Sequence, residues 1–281
     1  MANRLAVLGQ PISHSRSPAM QSAALAALGL GDEWSYEAIE VAPRDFEARV
    51  RAMASEGFAG ANVTVPHKMA ALELADEASA AARVIGAANT LAFAGDRIAA
   101  ENTDATGFLA ALGAPPAGRQ ALVLGAGGSA RAVVWALVSG GAEVAIWNRT
   151  AARAERLAAE LGASTVRLEG GALAVSGFDL IVNATTVGMG AAASAGGDDD
   201  LKALHLGADS LGEINQLVDL AYGPAETELA RVARSRGAAV VDGLEVLVHQ
   251  GAASLRLWTG REPPLDVMRR AARESPASHG N

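Results

Sequence analysis

Residues 123–137 read VLGAGGSARAVVWAL. Within this stretch Gly125-x-Gly127-x-x-Ala130 closes an apolar strand and opens a helix. The first glycine permits a tight turn, the second lets the backbone approach a pyrophosphate, and the small third residue lets helix and strand pack closely. A helix start at that point offers unpaired N–H groups and the positive end of the helix dipole to an anion. A glycine-rich turn that merely packs a helix on a strand is the bland alternative. About twenty residues on from Gly128, the next strand ends in Asn148-Arg149-Thr150, with Arg153 one turn into the following helix. A site for NAD places a carboxylate there, to accept from the ribose 2′-hydroxyl. Here two guanidinium groups stand instead, which suit the 2′-phosphate of NADP because arginine pairs with phosphate bidentately. Solvated arginines at a helix start remain the other reading.

Around this unit the chain alternates strand and helix signals. Strands are predicted at Ala121–Leu124, Glu143–Trp147, Leu180–Asn183, Leu217–Leu220 and Ala238–Val241, with helices at Ala130–Ser139, Ala152–Leu161 and Thr227–Arg236 between them. Strands separated by helices imply a parallel, doubly wound sheet with right-handed crossovers. The first third repeats the rhythm, with strands at Leu5–Leu8, Tyr36–Val41 and Ala61–Val65 and a hairpin at Thr90–Phe93 and Arg97–Ala100. Its helices are expected from Ser17 toward Gly29, over Pro43–Glu56 and over Ala70–Val84, with Ser17 as N-cap and Pro18 at the first helical position. Thr103–Leu112, Glu245–Trp258 and Leu265–Arg273 complete the helices, Gly188–Asp200 reads as a low-complexity loop, and Ser275–Asn281 as a frayed tail. The fold class is therefore α/β, with an N-terminal α/β substrate domain and a Rossmann-type domain. The expected boundaries are 1–103 plus 242–281 for the first and 104–241 for the second, with the active site in the cleft between them.

Composition narrows the function. The 281 residues match a prior of roughly two domains at about 150 residues each. Half the chain is hydrophobic but only 4% is aromatic, so the core is built from Ala, Val and Leu. Twenty-three Lys and Arg against 31 Asp and Glu leave a net charge of −8, which argues against nucleic acid as partner. No cysteine is present, which excludes disulfides, thiolate metal sites and cysteine nucleophiles. The five histidines show no HExxH spacing, so no metal is expected, and no GxSxG elbow or Walker lysine motif is present. Without a signal peptide or a membrane span in the sequence, the expectation is a soluble, cytoplasmic protein.

Four polar segments stand out in the first third. Pro11-Ile-Ser-His-Ser15-Arg-Ser17-Pro18 places three hydroxyls around a strand-to-helix turn, a device that holds a small carboxylate, although plain N-capping would also explain Ser17. In Asn62-Val-Thr64-Val-Pro66-His-Lys68, alternation sets Asn62 and Thr64 on one face and delivers Lys68 past the strand end, where α/β folds place ligands. Taken alone, Lys68 reads as a solvated lysine. Gly86-Ala-Ala-Asn89-Thr90 and Glu101-Asn102-Thr103-Asp104 follow, the latter opening a helix that Asn102 or Thr103 would cap.

Taken in order, these motifs resemble the shikimate dehydrogenase family over nearly the whole chain. The matching segments are GQPISHSRSP (9–18), GANVTVPHK (60–68), IGAANTL (85–91), ENTDATGF (101–108), GAGGSAR (125–131), NRT (148–150), NATTVGM (183–189), LAYGPAET (220–227) and DGLEVLVHQGAASLRLWTG (242–260). The resemblance implies reversible NADPH-dependent reduction of 3-dehydroshikimate to shikimate, in the pathway to chorismate and the aromatic amino acids. It implies Lys68 and Asp104 as the catalytic pair, Ser15 and Ser17 as carboxylate-binding serines, and Thr64, Asn89, Tyr222 and Gln250 as further substrate contacts. For NADP(H) it implies Gly125, Ala126, Gly127, Gly128 and Ser129 at the pyrophosphate. Asn148, Arg149, Thr150 and Arg153 fall at the adenosine phosphate, and Leu220 and Gly243 near the nicotinamide. Two positions depart from the pattern: Ala80 stands where some members carry Glu, and Glu245 where many carry Gly. The expected partner is the small-molecule substrate, with no nucleic acid or membrane, in a monomer or homodimer. A quinate or broad quinate/shikimate dehydrogenase is the nearest enzymatic alternative, and an NADPH-sensing module the non-enzymatic one.

Overall fold

The computed structural model describes residues 3–189 and 199–274. It divides into two compact units, Met1–Gly107 with Leu247–Asn281, and Phe108–Val246. Both cuts fall inside helices rather than at the ends of the neighbouring strands.

The first unit is built on a mixed six-stranded sheet. Its strands are β1 (Asn3–Gly9), β2 (Trp34–Glu40), β3 (Phe58–Val63), β4 (Glu77–Ala78), β5 (Thr90–Ala94) and β6 (Arg97–Glu101), in the order β2-β1-β3-β5-β6-β4. The pairs β1–β2, β1–β3 and β4–β6 are parallel, whereas β3–β5 and β5–β6 are antiparallel. Its helices are α1 (Ser17–Ala27), α2 (Phe46–Ser55), α3 (Lys68–Glu73), α4 (Ala80–Ile85) and the start of α5 (Thr103–Leu112). The alternation of β1 explains the layering, since successive side chains of a strand face opposite sides. Leu5 and Val7 pack with Met20 and Leu25 of α1 and with Val248, Leu255 and Met268 near the C-terminus. Ala6 and Leu8 pack the other way, with Phe46, Val50 and Met53 of α2.

Three local expectations are corrected here. Ala70–Val84 is not one helix: α3 stops at Glu73, Glu77 and Ala78 pair with Ala99 and Ala100, and α4 begins at Ala80. The Asp76 carboxylate accepts from the Ile98 N–H at 2.8 Å, and Ser79 caps α4 by accepting from the Ala82 N–H at 3.1 Å. Sheet pairing thus overrides the helix propensity of the alanine run. Ser17 is the first helical residue rather than the cap, and its N–H donates to Ser15 Oγ at 3.3 Å. The third strand ends at Val63, and Val65 turns outward.

The second unit is a parallel six-stranded sheet. Its strands are β7 (Gln120–Leu124), β8 (Glu143–Trp147), β9 (Ser164–Thr165), β10 (Leu180–Asn183), β11 (Gln216–Asp219) and β12 (Ala239–Val241), in the order β12-β11-β10-β7-β8-β9. Helices α6 (Gly128–Ser139), α7 (Ala151–Leu161), α8 (Asp199–Ala203) and α9 (Glu228–Ser235) belong to this unit, and α10 (Gly243–Thr259) starts in it. The last helix, α11 (Leu265–Glu274), returns to the first unit. From β7 the chain winds outward through β8 and β9, then crosses back to β10 on the other side. That reversal sets the ends of β7 and β10 side by side, with Leu124 opposite Asn183, at the switch point where open α/β sheets bind ligands. Leu122, Ile181, Leu217 and Leu229 are central to the packing on this sheet. Most of Gly188–Asp200 and the tail Ser275–Asn281 lie outside the described residues.

Gly60 shows how tightly the first unit is closed. A Cβ there would meet the Trp258 indole and lie 2.5 Å from the Leu91 carbonyl oxygen, and Trp258 Nε1 already donates to that oxygen at 2.9 Å. Gly60→Ala is therefore expected to destabilise the chain by about 1–3 kcal/mol. Urea unfolding checks this as a lower midpoint with an unchanged slope.

Candidate functional site

The turn after β3 carries Lys68 to the first position of α3. His67 anchors that turn: its Nε2 contacts the Val41 carbonyl oxygen at 2.7 Å and its ring stacks on Phe46 at 4.4 Å. The Ala88 N–H donates to the Lys68 carbonyl at 2.8 Å, fixing the start of α3 against the segment before β5. Asp104 stands in the first turn of α5, which Asn102 caps by accepting from the Ala105 N–H at 3.1 Å. Lys68 Nζ donates to Asp104 Oδ2 at 2.6 Å, and the two side chains are only 10% and 15% exposed. A pair so far removed from water is held at a desolvation cost, so it is a better pointer to chemistry than to stability.

Asn89 joins this pair to the rest of the unit. Its Oδ1 accepts from the Thr103 N–H at 2.7 Å, and a backbone N–H can only donate, so the amide orientation is settled. The Nδ2 group then faces Asp104 Oδ1 at 2.9 Å, Thr103 Oγ1 at 2.9 Å and Gln250 Oε1 at 3.0 Å. Gln250 on α10 is oriented the same way, because its Nε2 donates to the Leu247 carbonyl at 2.9 Å. Behind Asn89 lies a buried hydroxyl cluster that the sequence reading passed over. Ser254 Oγ lies 2.8 Å from Thr90 Oγ1 and 3.0 Å from Thr103 Oγ1, and accepts from Asn62 Nδ2 at 2.8 Å. Tyr36 Oη donates to Asn62 Oδ1 at 2.8 Å. The available signal was a serine on an otherwise apolar helix face, four residues after Gln250.

Of the other residues read as substrate contacts, Thr64 and the two serines belong to the first unit. The Thr64 N–H donates to the Leu8 carbonyl at 2.8 Å and the Gln10 N–H to the Val65 carbonyl at 3.0 Å, so the turn toward Ser15 is bonded to the turn that carries Lys68. Ser15 is half-buried and Ser17 buried. Tyr222 lies in the second unit and is half-buried.

The second unit carries the residues read as cofactor contacts. Gly125 adopts φ +113°, and a Cβ on it would lie 2.9 Å from the Ala184 carbonyl oxygen, so this turn demands glycine. Gly127 caps α6, and a Cβ there would meet nothing within 4 Å, which leaves the backbone open to a ligand. Ala126, Gly128 and Ser129 line the same turn and are half-buried, and Ala130 packs at full burial as a small residue should. Asn148 Nδ2 donates to the Thr150 carbonyl at 3.0 Å, shaping the turn after β8. Arg149 and Arg153 are exposed and have no carboxylate partner among the described residues. Gly243 opens α10 in close approach: a Cβ would lie 2.5 Å from the Leu220 carbonyl oxygen. Open glycine backbone at a helix start, with two unpaired guanidinium groups one strand away, fits a phosphorylated dinucleotide.

Among the described residues no group of three or more His, Asp or Glu is arranged to hold a metal, and no helix is long and apolar enough to cross a membrane. A switch-point sheet with a glycine turn, together with a shielded ammonium–carboxylate pair at the starts of two helices in the other unit, defines a dinucleotide-dependent oxidoreductase. Comparison with known proteins narrows this class. Family models match at residues 7–91 (shikimate dehydrogenase substrate binding domain), 111–189 (shikimate / quinate 5-dehydrogenase) and 243–273 (shikimate 5′-dehydrogenase C-terminal domain). The shikimate dehydrogenase (NADP(+)) of Methanopyrus kandleri is 42% identical over 285 residues, covering 97% of this chain and 95% of its own. The crystal structure of shikimate 5-dehydrogenase from Thermus thermophilus in complex with NADP(H) and shikimate aligns with TM-score 0.84 at 43% identity, covering 96% of this chain and 98% of that one. The 5-ketofructose reductase of a Gluconobacter species aligns with TM-score 0.82 at 30% identity, covering 97% of this chain and 98% of that one. The chain belongs to the shikimate dehydrogenase family.

Asn89→Ala leaves the Thr103 N–H and one side of the Asp104 carboxylate without a partner. The expected cost is about 1–3 kcal/mol, read as a lower midpoint in urea.

Proposed function

We propose that the chain catalyses the reversible reduction of 3-dehydroshikimate to shikimate with NADP(H). The observation that carries this reading is the Lys68–Asp104 contact at 2.6 Å, with Asn89 and Gln250 bonded around it in the same unit. When bound, the cofactor supplies the hydride. Lys68 then gives a proton from its ammonium to the oxygen that becomes the alkoxide, and recovers it from solvent; in the oxidative direction neutral Lys68 takes the hydroxyl proton. Asp104 holds the ammonium in place and offers a lone pair to a ring hydroxyl. Its other oxygen is fixed by Asn89, so the base does not have to be ordered during the reaction. Ser15 and Ser17 hold the substrate carboxylate, and Thr64, Asn89, Gln250 and Tyr222 meet its hydroxyls. The backbone from Gly125 to Ser129 holds the pyrophosphate at the start of α6. Arg149 and Arg153, with Asn148 and Thr150, hold the 2′-phosphate, and the backbone at Leu220 and Gly243 flanks the nicotinamide. The same reading places the enzyme in the cytoplasm, as a monomer or homodimer.

Because a 30% identical relative of this fold is a 5-ketofructose reductase, the fold alone does not choose the substrate. Steady-state oxidation of shikimate and of quinate, each with NADP and with NAD, decides it. Shikimate with NADP is expected to give the highest kcat/KM; quinate as the better substrate would overturn the assignment. Lys68→Ala is expected to lower kcat by about 10²- to 10⁴-fold with little change in KM, whereas a rise in KM alone would make Lys68 a binding residue. Arg149→Ala is expected to narrow the preference for NADP over NAD, measured as the ratio of the two kcat/KM values.

A further inference from the structure

Asp219 ends β11 and is 1% exposed, yet no cation among the described residues pairs with it. Three neutral donors converge on its two oxygens. Asn183 Nδ2 and the Ala221 N–H donate to Oδ1 at 2.8 and 3.1 Å, and Thr227 Oγ1 donates to Oδ2 at 2.5 Å. Each donor belongs to a different segment: the end of β10, the chain just past β11, and the cap of α9. Two of these bonds need an acceptor at Oδ1, and the third joins Oδ2 to a hydroxyl, which can donate or accept. The tie continues outward. Asn183 Oδ1 accepts from Thr185 N and Thr185 Oγ1 at 3.1 and 2.7 Å, and Thr185 Oγ1 accepts from the Val187 N–H at 3.1 Å. The segment so held is the one whose Ala184 carbonyl oxygen a Cβ on Gly125 would meet at 2.9 Å, and a Cβ on Gly243 would meet the Leu220 and Ala221 carbonyl oxygens at 2.5 and 2.9 Å.

We propose that Asp219 is a positioning residue for the cofactor: its carboxylate sets the backbone at the ends of β10 and β11, against which the glycine turn at 125 and the start of α10 are placed. This rests on the NADP(H) reading of that site. Asp219 does not touch the ligand in this account; it acts through Asn183, Thr185 and the backbone of Leu220 and Ala221.

Burial also acts on the charge of this carboxyl. Burial pushes the Asp219 carboxyl up from 3.8 to about 6, against the bonds from Thr227, Ala221 and Asn183 that pull it down, and the nearby charge of Asp200 on α8 pushes it up as well. With the folded value above the unfolded one, this group makes folding progressively less favourable as pH rises from 3.8 to about 6, and the penalty is full above that. Below about 6 the carboxyl carries a proton; with that proton on Oδ2 the Thr227 hydroxyl becomes the acceptor and Oδ1 keeps its two donors. Asp219→Asn mimics that state at every pH.

The test titrates full-length wild type, Asp219→Ala, Asp219→Asn and Thr227→Ser with NADPH, following nicotinamide fluorescence from mildly acid to mildly alkaline pH, with folding checked by circular dichroism. Near neutrality Asp219→Ala, which removes both oxygens, is expected to bind NADPH roughly tenfold more weakly, while the KM for shikimate stays within about twofold. Thr227→Ser, which keeps the hydroxyl, is expected to bind as wild type does. Asp219→Asn, which keeps an acceptor at Oδ1 and can donate to the Thr227 hydroxyl, is expected to stay within about threefold of wild type. The 2′-phosphate titrates in the same range in every protein, so only the difference between proteins counts. A folded Asp219→Ala that holds NADPH within about twofold of wild type throughout would overturn the proposal. If Asp219→Ala does not fold, Thr227→Val carries the measurement, with the same expected loss and the same overturning result. A folded wild type that does not bind NADPH overturns the cofactor reading together with this one.

Discussion

An ammonium and a carboxylate 2.6 Å apart, both largely shielded from water, are the constraint around which the first unit is arranged. Such a pair does not hold itself: each ion gives up hydration, and the attraction compensates only if the remaining lone pairs and protons are met. Asn89 meets one of them, and it is oriented by the Thr103 N–H rather than by chance packing. The hydroxyls of Thr90, Thr103 and Ser254 fill the space behind it with groups that act as both donor and acceptor. A core poor in aromatic rings thereby acquires a polar seam that holds its shape through hydrogen-bond direction.

The second unit solves a similar problem with one buried carboxylate. Asp219 has neutral donors around it and no counter-ion among the described residues, so its charge is costly and its geometry specific. The two polar systems therefore differ in kind. One is an ion pair shielded from water, and the other a buried carboxylate bonded to three segments at once.

Much of this was legible in the sequence where the signal is local. The glycine turn after β7, the parallel strands on either side of it, and the helix starting at Thr103 fall where pattern and caps place them. Lys68, Asp104, Asn89 and Gln250 were named through a resemblance, since nothing in their spacing brings residues 161 positions apart into contact. What stayed hidden depends on partners far along the chain. Ser254 meets Asn62 across 192 residues, and no periodicity announces that meeting. The alanine run after Ala70 misleads for the converse reason: its local preference is helical, but two of its neighbours are claimed by β6. Asp219 escaped notice because an aspartate at a strand end looks like any solvated carboxylate until its burial is known.

The bond from the Ala88 amide to the Lys68 carbonyl belongs to the main chain, so it survives any change of the side chain at position 68. Scaffold and reactivity are thus written into separate atoms of one residue. Whatever side chain stands at 68, the main chain keeps the start of α3 tied to the segment that leads into β5.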